Sequence, residues 1–342
     1  MTTIISIRNA SVQFRSGPPW APRIVNALHN VSIDIKPRQI VGLVGESGSG
    51  KTTLGRVCLG LQELTSGTIE FSGTPIAKLD RKQLKGQLAA VLQNPRMSLN
   101  PSLRVAHSVA EPLKIDRHLS ATEARKQVDK MLERVGLASG VGNRFPNELS
   151  GGQRQRVSIA RALITNPKFI LFDEAVSALD VSVQAQILNL LRELQSSAGF
   201  AALFISHDLA ATRYVCDRVV VLYHGGIMEE CGRRMLYREA RHPYTRGLQA
   251  ASGLIDAAGT ALKLDDRAGP SSGCALFRRC PVSMPRCETQ LPPTRTSGEG
   301  SVFCHLVSDA GATSSGDGDP ISHDARGAAQ TPFRRRSLHM PG

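Results

Sequence analysis

The segment that most constrains this chain is Gly45-Glu-Ser-Gly-Ser-Gly-Lys-Thr52, set between the apolar run Gln39-Ile-Val-Gly-Leu-Val44 and a helical stretch over Thr52–Leu61. Short runs that are apolar at nearly every position fit strands buried on both faces, as in parallel sheets. The segment matches G-x4-G-K-[ST], a phosphate-binding loop. Its glycines let the backbone curl so that several N–H groups face one point, and the following helix adds the partial positive charge of its N-terminus. Lys51 can then reach β- and γ-phosphates, and the Thr52 hydroxyl can ligate Mg²⁺. A glycine-rich turn that binds nothing is the plain alternative; the strand before and the helix after favour the binding loop.

The rest of the chain supplies a sheet for that loop. Ile4–Phe14 is rich in β-branched residues, and Val31-Ser-Ile-Asp-Ile35 alternates in period two, with a loop at Gly17–Pro22 between them. Thr68–Phe71 reads as a strand ending in the turn Ser72-Gly73. From about Met97 to Ile164 the pattern turns helical, with Ala124, Val128, Met131, Leu132 and Val135 at helical spacing. Strands return at Lys168–Asp173 and Phe200–Ser206. They flank a stripe of Val183, Ile187, Leu190, Leu191 and Leu194, with Asp180 as N-cap and Gly199 beyond the end. Arg218–Tyr223, Gly225-Gly226 and Ile227–Cys231 predict a hairpin. Strand, helix, strand in this order predicts an α/β fold with a mostly parallel sheet and a helical insertion. Residues 308–342 are Ser, Gly, Asp, Ala, Pro and Arg with few apolar groups and read as disordered.

Composition excludes several classes. No stretch approaches the ~20 apolar residues that span a bilayer, and the start, MTTIISIRNASVQF, lacks the basic cluster and apolar run of a secretory signal. Aromatics are 4% with one Trp, which argues against extensive base-stacking surfaces. The net charge of +13 permits nucleic acid, anionic lipid or nucleotide, but the basic residues are spread along the chain. The one tight run, Arg334-Arg335-Arg336, falls in the tail.

Two further segments carry chemistry. Phe169-Ile-Leu-Phe-Asp173-Glu174 is an apolar strand ending in two carboxylates. Asp173 is placed to hold Mg²⁺ through water, and Glu174 to polarise an attacking water as general base. Leu149-Ser-Gly-Gly-Gln-Arg-Gln-Arg156 opens a helix over Gln153–Ala162. Ser150, Gly151 and Gly152 there present a hydroxyl and open backbone N–H groups, which fits either a second anion site or a plain N-capped helix.

Together these segments resemble the ATP-binding subunits of ABC transporters. The family's signature LSGGQ occurs unaltered at Leu149–Gln153, and the resemblance covers roughly residues 4–305. It implies a P-loop NTPase with a RecA-like, mostly parallel sheet core, an antiparallel β subdomain, an inserted helical subdomain and a small Cys-rich C-terminal region. It implies nucleotide contacts from Phe14, Gly45, Ser47, Gly48, Ser49, Gly50, Lys51, Thr52, Thr53 and Asp173, and from Ser150, Gly151, Gly152, Gln153 and Asp180. Phe14 matches the aromatic position that stacks on adenine, although a plain core or edge Phe fits it equally. Gln93 looks like the Q-loop glutamine, Ser177-Ala-Leu-Asp180 the D-loop and His207 the switch histidine. Glu174, His207 and Gln93 are the implied catalytic residues, and Thr52, Gln93 and Asp173 the implied Mg²⁺ ligands. Family members often carry Pro after the catalytic Glu; here it is Ala175, which has no polar group to lose. In the family, two subunits pair head to tail with ATP between the phosphate loop of one and LSGGQ of the other.

Three features narrow the resemblance to oligopeptide and dipeptide importers: Gln93-Asn-Pro-Arg-Met-Ser-Leu-Asn-Pro101, His242-Pro-Tyr-Thr245, and a C-terminal cysteine region. The stretch Val176–Gln186 leans toward the F type of the two paired ATPases. The resemblance implies two transmembrane permease subunits, a paralogous ATPase or a second copy of this chain, and an extracytoplasmic binding protein acting indirectly. It implies no nucleic acid and a peripheral place on the cytoplasmic face of the plasma membrane. A related importer for nickel or another small solute, or a soluble ABC ATPase acting on nucleic acid, are the alternatives. The expected divisions are an ATPase domain at 1–235 with a helical insertion at about 94–164, a C-terminal region at 236–307, and the tail at 308–342. Cys274, Cys280, Cys287 and Cys304 are spaced C-x5-C-x6-C-x16-C. Four thiolates could hold a [4Fe–4S] cluster or a structural Zn²⁺, or simply pack a small domain; the resemblance favours the iron–sulfur cluster.

Overall fold

The computed structural model describes residues 3–18, 20, 23–93, 99–115, 119–238, 240–256, 260–263, 269, 272–297 and 300–307. Its architecture follows from strands whose two faces are both apolar. β3 (Ile40–Val44), β7 (Phe169–Asp173), β8 (Ala201–Ile205) and β9 (Arg218–Tyr223) are almost wholly buried. Successive side chains of a strand point to opposite faces, and each of these strands feeds two cores. Ile40, Val44, Ile170, Phe172, Ala202 and Phe204 join one, and Val41, Leu43, Phe169, Leu171, Leu203 and Ile205 the other.

These strands belong to an eight-stranded sheet of order β11-β12-β10-β9-β3-β8-β7-β6, completed by β6 (Leu88–Val91), β10 (Gly226–Gly232), β11 (Thr294–Ser297) and β12 (Gly300–Phe303). From β6 to β9 the pairing is parallel; β10, β12 and β11 are added antiparallel. A second, antiparallel sheet of order β2-β1-β4-β5 is built from β1 (Ile5–Ser16), β2 (Arg23–Ile35), β4 (Ser66–Phe71) and β5 (Thr74–Pro75). Its inner residues Ile5, Ile7, Val31, Ile33 and Phe71 cover one face of the large sheet.

The opposite face is covered by helices. α1 (Lys51–Cys58) is the exception: it follows β3 and packs on the same face as the antiparallel sheet, where its Leu54, Val57 and Cys58 join the core of Ile5, Ile7 and Leu171. α2 (Val105–Ala110), α3 (Ala121–Arg134) and α4 (Gly151–Leu163) make the helical stretch, and α5 (Val181–Ala198), α6 (Leu209–Val215) and α7 (Pro243–Ala251) follow. α3 starts in a capping box, Ser120 with Glu123. Its buried stripe Val128, Met131 and Leu132 is part of the one read from spacing. In α5 the buried residues Ile187, Leu190, Leu191 and Leu194 match the predicted stripe. α1 stops at Cys58, short of the predicted Leu61, where Gly60 turns the chain at φ 66°. β2 begins at Arg23, eight residues earlier than its alternation showed, and the β11–β12 hairpin was not legible in sequence.

The chain divides into compact units at Met1–Asp309 and Ala310–Gly342. The second, with the tail read as disordered, lies outside the described residues. Among the described residues no helix is long and apolar enough to cross a membrane.

Candidate nucleotide site

The phosphate-binding segment forms a loop from the end of β3 to the start of α1. Gly45 is needed there on two counts: its φ is 153°, and a Cβ on it would stand 2.1 Å from the carbonyl oxygen of Leu222. Ser49 is buried, and Ser47 and Gly48 face solvent. Lys51 is 7% exposed, and its Nζ donates to the carbonyls of Gly45 at 2.8 Å and Glu46 at 2.7 Å. Burial pulls the Lys51 pKa below its ordinary value, opposed by the charges of Glu174, Asp173 and Glu46. A cation held back from water in this way is set to meet an anion.

The second half of the site comes from the ends of neighbouring strands. Asp173 ends β7 near the Thr52 hydroxyl of α1, which favours the ionised carboxylate. Its pKa is raised, first by burial and then by Glu174, with Thr52, Arg56 and Lys51 acting against the rise. Hydroxyl and carboxylate oxygens converge here at one end of the sheet. That suits Mg²⁺, which takes one or two protein carboxylates and leaves its other positions to phosphate and water.

Glu174 takes a left-handed φ of 48°, uncommon outside glycine, and its N–H donates to the Ile205 carbonyl at 3.0 Å. The amide Nε2 of Gln93, just beyond β6, donates to Glu174 Oε2 at 2.9 Å. His207, between β8 and α6, places Nδ1 3.7 Å from the same oxygen. Three residues far apart in sequence therefore meet at one carboxylate oxygen. The amide of Gln93 is engaged with Glu174 rather than with the Thr52–Asp173 pair. Asn94–Ser98, within the segment that resembles peptide importers, lie outside the described residues.

The LSGGQ segment is built separately. Ser150 caps α4: its Oγ accepts from the N–H of Gln153 at 3.2 Å, and Gln153 Oε1 accepts from the N–H of Ser150 at 3.0 Å. Gly151 lies beside Leu179, and a Cβ on Gly152 would stand 2.6 Å from Val183 Cγ1. LSGGQ therefore packs on the D-loop and the first turn of α5. Among the described residues no hydrogen bond or ion pair joins Ser150–Gln153 to Gly45–Thr52 or to Asp173–Glu174 of the same chain. Asp180 occupies the N-cap position of α5 read from sequence, and its carboxylate makes no cap hydrogen bond. Phe14 lies on β1 opposite Val25 and is 41% exposed, so it is not a core residue.

Sequence reading missed Glu46 as a contact point. Its carboxylate is held by both terminal nitrogens of Arg279, and its N–H donates to the hydroxyl of Tyr244. The His242-Pro-Tyr-Thr245 segment was the one available signal.

Residues 28–177 match the family model described as ABC transporter, and residues 228–287 the one described as oligopeptide/dipeptide transporter, C-terminal region. A protein of Brucella abortus (strain 2308) named for peptide import and ATP binding is 44% identical over 298 residues, covering 84% of this chain and 89% of the relative. The chain belongs to the ATP-binding proteins of ABC transporters. Among solved structures, a dimeric, post-hydrolysis ATP-binding cassette, MJ0796, bound to ADP and phosphate, aligns with a TM-score of 0.60 at 31% identity. It covers 67% of this chain and 99% of that one. The cassette cbiO1 of Clostridium perfringens, part of a transporter complex, aligns with a TM-score of 0.61 at 26% identity over 73% and 96% of the two chains. The P-loop NTPase fold expected from the resemblance is therefore the fold of this cassette, and ATP with Mg²⁺ is its expected nucleotide.

The four clustered cysteines of the cassette are free thiols, all buried, and line one narrow cavity with His242 and His305. Burial pushes the Cys274 thiol up to about 11 and raises those of Cys280 and Cys304. Among the described residues no group of three or more His, Cys, Asp or Glu side chains is placed to hold a metal ion. The cysteines share a cavity, but as placed they do not form the ligand set that a [4Fe–4S] cluster or Zn²⁺ requires.

Proposed function

We propose that this chain hydrolyses ATP as one half of an ATPase dimer that drives a membrane importer for peptides. The observation that carries the catalytic reading is the meeting of Gln93 and His207 on Glu174, one residue from the Thr52–Asp173 pair and within the electrostatic reach of Lys51. In this reading Glu174 Oε2 takes a proton from the attacking water as general base. His207 and Gln93 orient that carboxylate, and Gln93 links it to the edge of the sheet. Lys51 exchanges its two carbonyl partners for phosphate oxygens. Thr52 and Asp173 would hold Mg²⁺, which neutralises phosphate charge when bound. Gly45, Ser47, Gly48, Ser49, Gly50 and Thr53 complete the phosphate cradle, and exposed Phe14 stacks on adenine.

Ser150–Gln153 make no hydrogen bond or ion pair with this chain's own cradle among the described residues, which supports a site shared, together with Asp180, with a facing subunit. The dimeric state of the MJ0796 cassette supports the same arrangement. Each ATP is then bound by both subunits, and its γ-phosphate selects the closed dimer. A cavity of about 360 Å³ beside Gln93, lined by Val91, Leu92, Pro112 and Arg161, supports docking of a permease segment there.

The peptide cargo rests on the match of residues 228–287 and on the printed names of relatives. The partners in this reading are two permease subunits and a second ATPase, with the extracytoplasmic binding protein reached through them and the cassette lying on the cytoplasmic face. Residues 1–235 serve as the ATPase domain with its insertion at about 94–164, residues 236–307 as the importer-type C-terminal region, and 308–342 as the tail. A metal centre belongs to this reading as a finer proposal. Four buried free thiols around one cavity support it, and binding would have to draw their side chains together. Glu174→Gln keeps shape and the hydrogen bond from Gln93 but cannot take the proton. ATP turnover of the assembled complex should fall by ~10²-fold or more with ATP still bound; normal turnover would place the base elsewhere.

A further inference from the structure

One residue of the phosphate loop is held from three directions. The Glu46 carbonyl accepts from Lys51 Nζ at 2.7 Å. Its N–H donates to the Tyr244 hydroxyl at 3.0 Å. Its carboxylate receives Arg279 Nη1 at 2.6 Å and Nη2 at 3.0 Å. Only the first of these partners belongs to the loop and its helix.

The other two come from the C-terminal part of the chain. Tyr244 lies in the first turn of α7 and is fully buried. Its N–H donates to Nδ1 of His242, whose own N–H donates to the buried carboxylate of Glu229 on β10 at 3.2 Å. Arg279 directly precedes Cys280, in the turn that Cys274 opens. That turn is tied by the N–H groups of Arg279 and Cys280 to the Leu276 carbonyl and by the N–H of Cys274 to the Cys287 carbonyl at 2.7 Å. The guanidinium also lies 5.7 Å from the Tyr223 ring, which in turn packs on Tyr244 with centroids 4.7 Å apart. Arg279 is 13% exposed and Glu46 38%. A two-pronged guanidinium–carboxylate pair fixes orientation as well as distance, which a lysine in the same place would not do.

We propose that Arg279 is a positioning residue for nucleotide binding: its fork on Glu46 fixes the entry to the phosphate loop and ties ATP affinity to the cysteine-bearing turn. The inference rests on the reading of Gly45–Thr52 as the nucleotide site. The loop binds phosphate only while its N–H groups converge. Released from Arg279, Glu46 gains rotational freedom that must be lost again when nucleotide binds, and affinity falls. Glu174 and His207 are untouched, so the effect falls on binding and not on the chemical step.

The test is titration of the full-length chain with mant-ATP and Mg²⁺, together with kcat and KM for the assembled complex. Arg279→Ala and Glu46→Gln should each weaken nucleotide binding roughly three- to tenfold, the worth of one charge-assisted pair at partial exposure, with kcat changed by less than about twofold. Arg279→Lys should recover only part of the loss, and the double variant should bind no more weakly than either single one. Wild-type affinity in Arg279→Ala, even with a lowered Tm, would overturn the proposal and leave Arg279 as a strut of the C-terminal region. Losses that multiply in the double variant would overturn it too. If Arg279→Ala does not fold, Glu46→Gln decides alone, since it leaves the cysteine turn intact. Lys51→Ala separates the two readings: if it also binds mant-ATP like wild type, the nucleotide site itself is misassigned.

Discussion

Gly152→Ala should damage this protein through one contact. A Cβ at residue 152 would meet Val183 Cγ1 at 2.6 Å, whereas ordinary contacts begin near 3.4 Å. One side must move by about 1 Å. Val183 cannot rotate away cheaply, because a β-branched residue in a helix has one strongly preferred rotamer. Overpacking of this kind costs about 1–3 kcal/mol, against a gain of at most about 1 kcal/mol from replacing Gly in a helix. The net loss should lower Tm by a few degrees. The larger effect is on rate: the N–H of residue 152 is retained but displaced, and a misplacement of about 1 Å can cost up to ~10²-fold in turnover. The assay is a thermal melt of the full chain with ATPase activity of the assembled complex, for Gly152→Ala, Val183→Ala and the pair. Val183→Ala removes the obstructing methyl, so the pair should recover most of the activity. If the pair stays as inactive as Gly152→Ala alone, the added methyl acts on the nucleotide directly and the packing argument is refuted.

Ser150→Arg in this chain, mixed with a wild-type partner ATPase, should impair hydrolysis at the partner's phosphate loop. Loss confined to this chain's own loop would contradict the shared site. A metal centre among Cys274, Cys280, Cys287 and Cys304 should give an anaerobically purified complex a broad visible absorbance if iron is bound, or stoichiometric zinc without colour. Four thiols alkylated in the native anaerobic complex would remove the metal reading.

Much of the candidate site was legible because its parts are local. Gly45–Thr52 announces itself through glycines that one sharp turn requires. Phe169–Asp173 shows as a buried strand ending in acids, and Ser150 with Gln153 has the spacing of the capping box that forms. His207 and Gln93 were legible only through resemblance, since neither residue's neighbours say what it will touch. Asp180 shows the limit of local rules. It stands at an N-cap, yet its carboxylate makes no cap hydrogen bond, because spacing assigns a position and not a partner.

The sequence by itself determined the central strands, the helix faces and the phosphate loop, since periodicity and turn chemistry act within a few residues. Which strands became neighbours was decided by the tertiary structure. β3 lies between β8 and β9, and β12 pairs with β10 as Glu229 with Val302, through backbone bonds between segments that carry no mark of each other. The meeting of Gln93 and His207 at Glu174, and of Arg279 at Glu46, was decided in the same way. A side chain's partner across 233 residues depends on where every intervening element packs, and packing is settled by the shape and burial of the whole core rather than by any short stretch of chain.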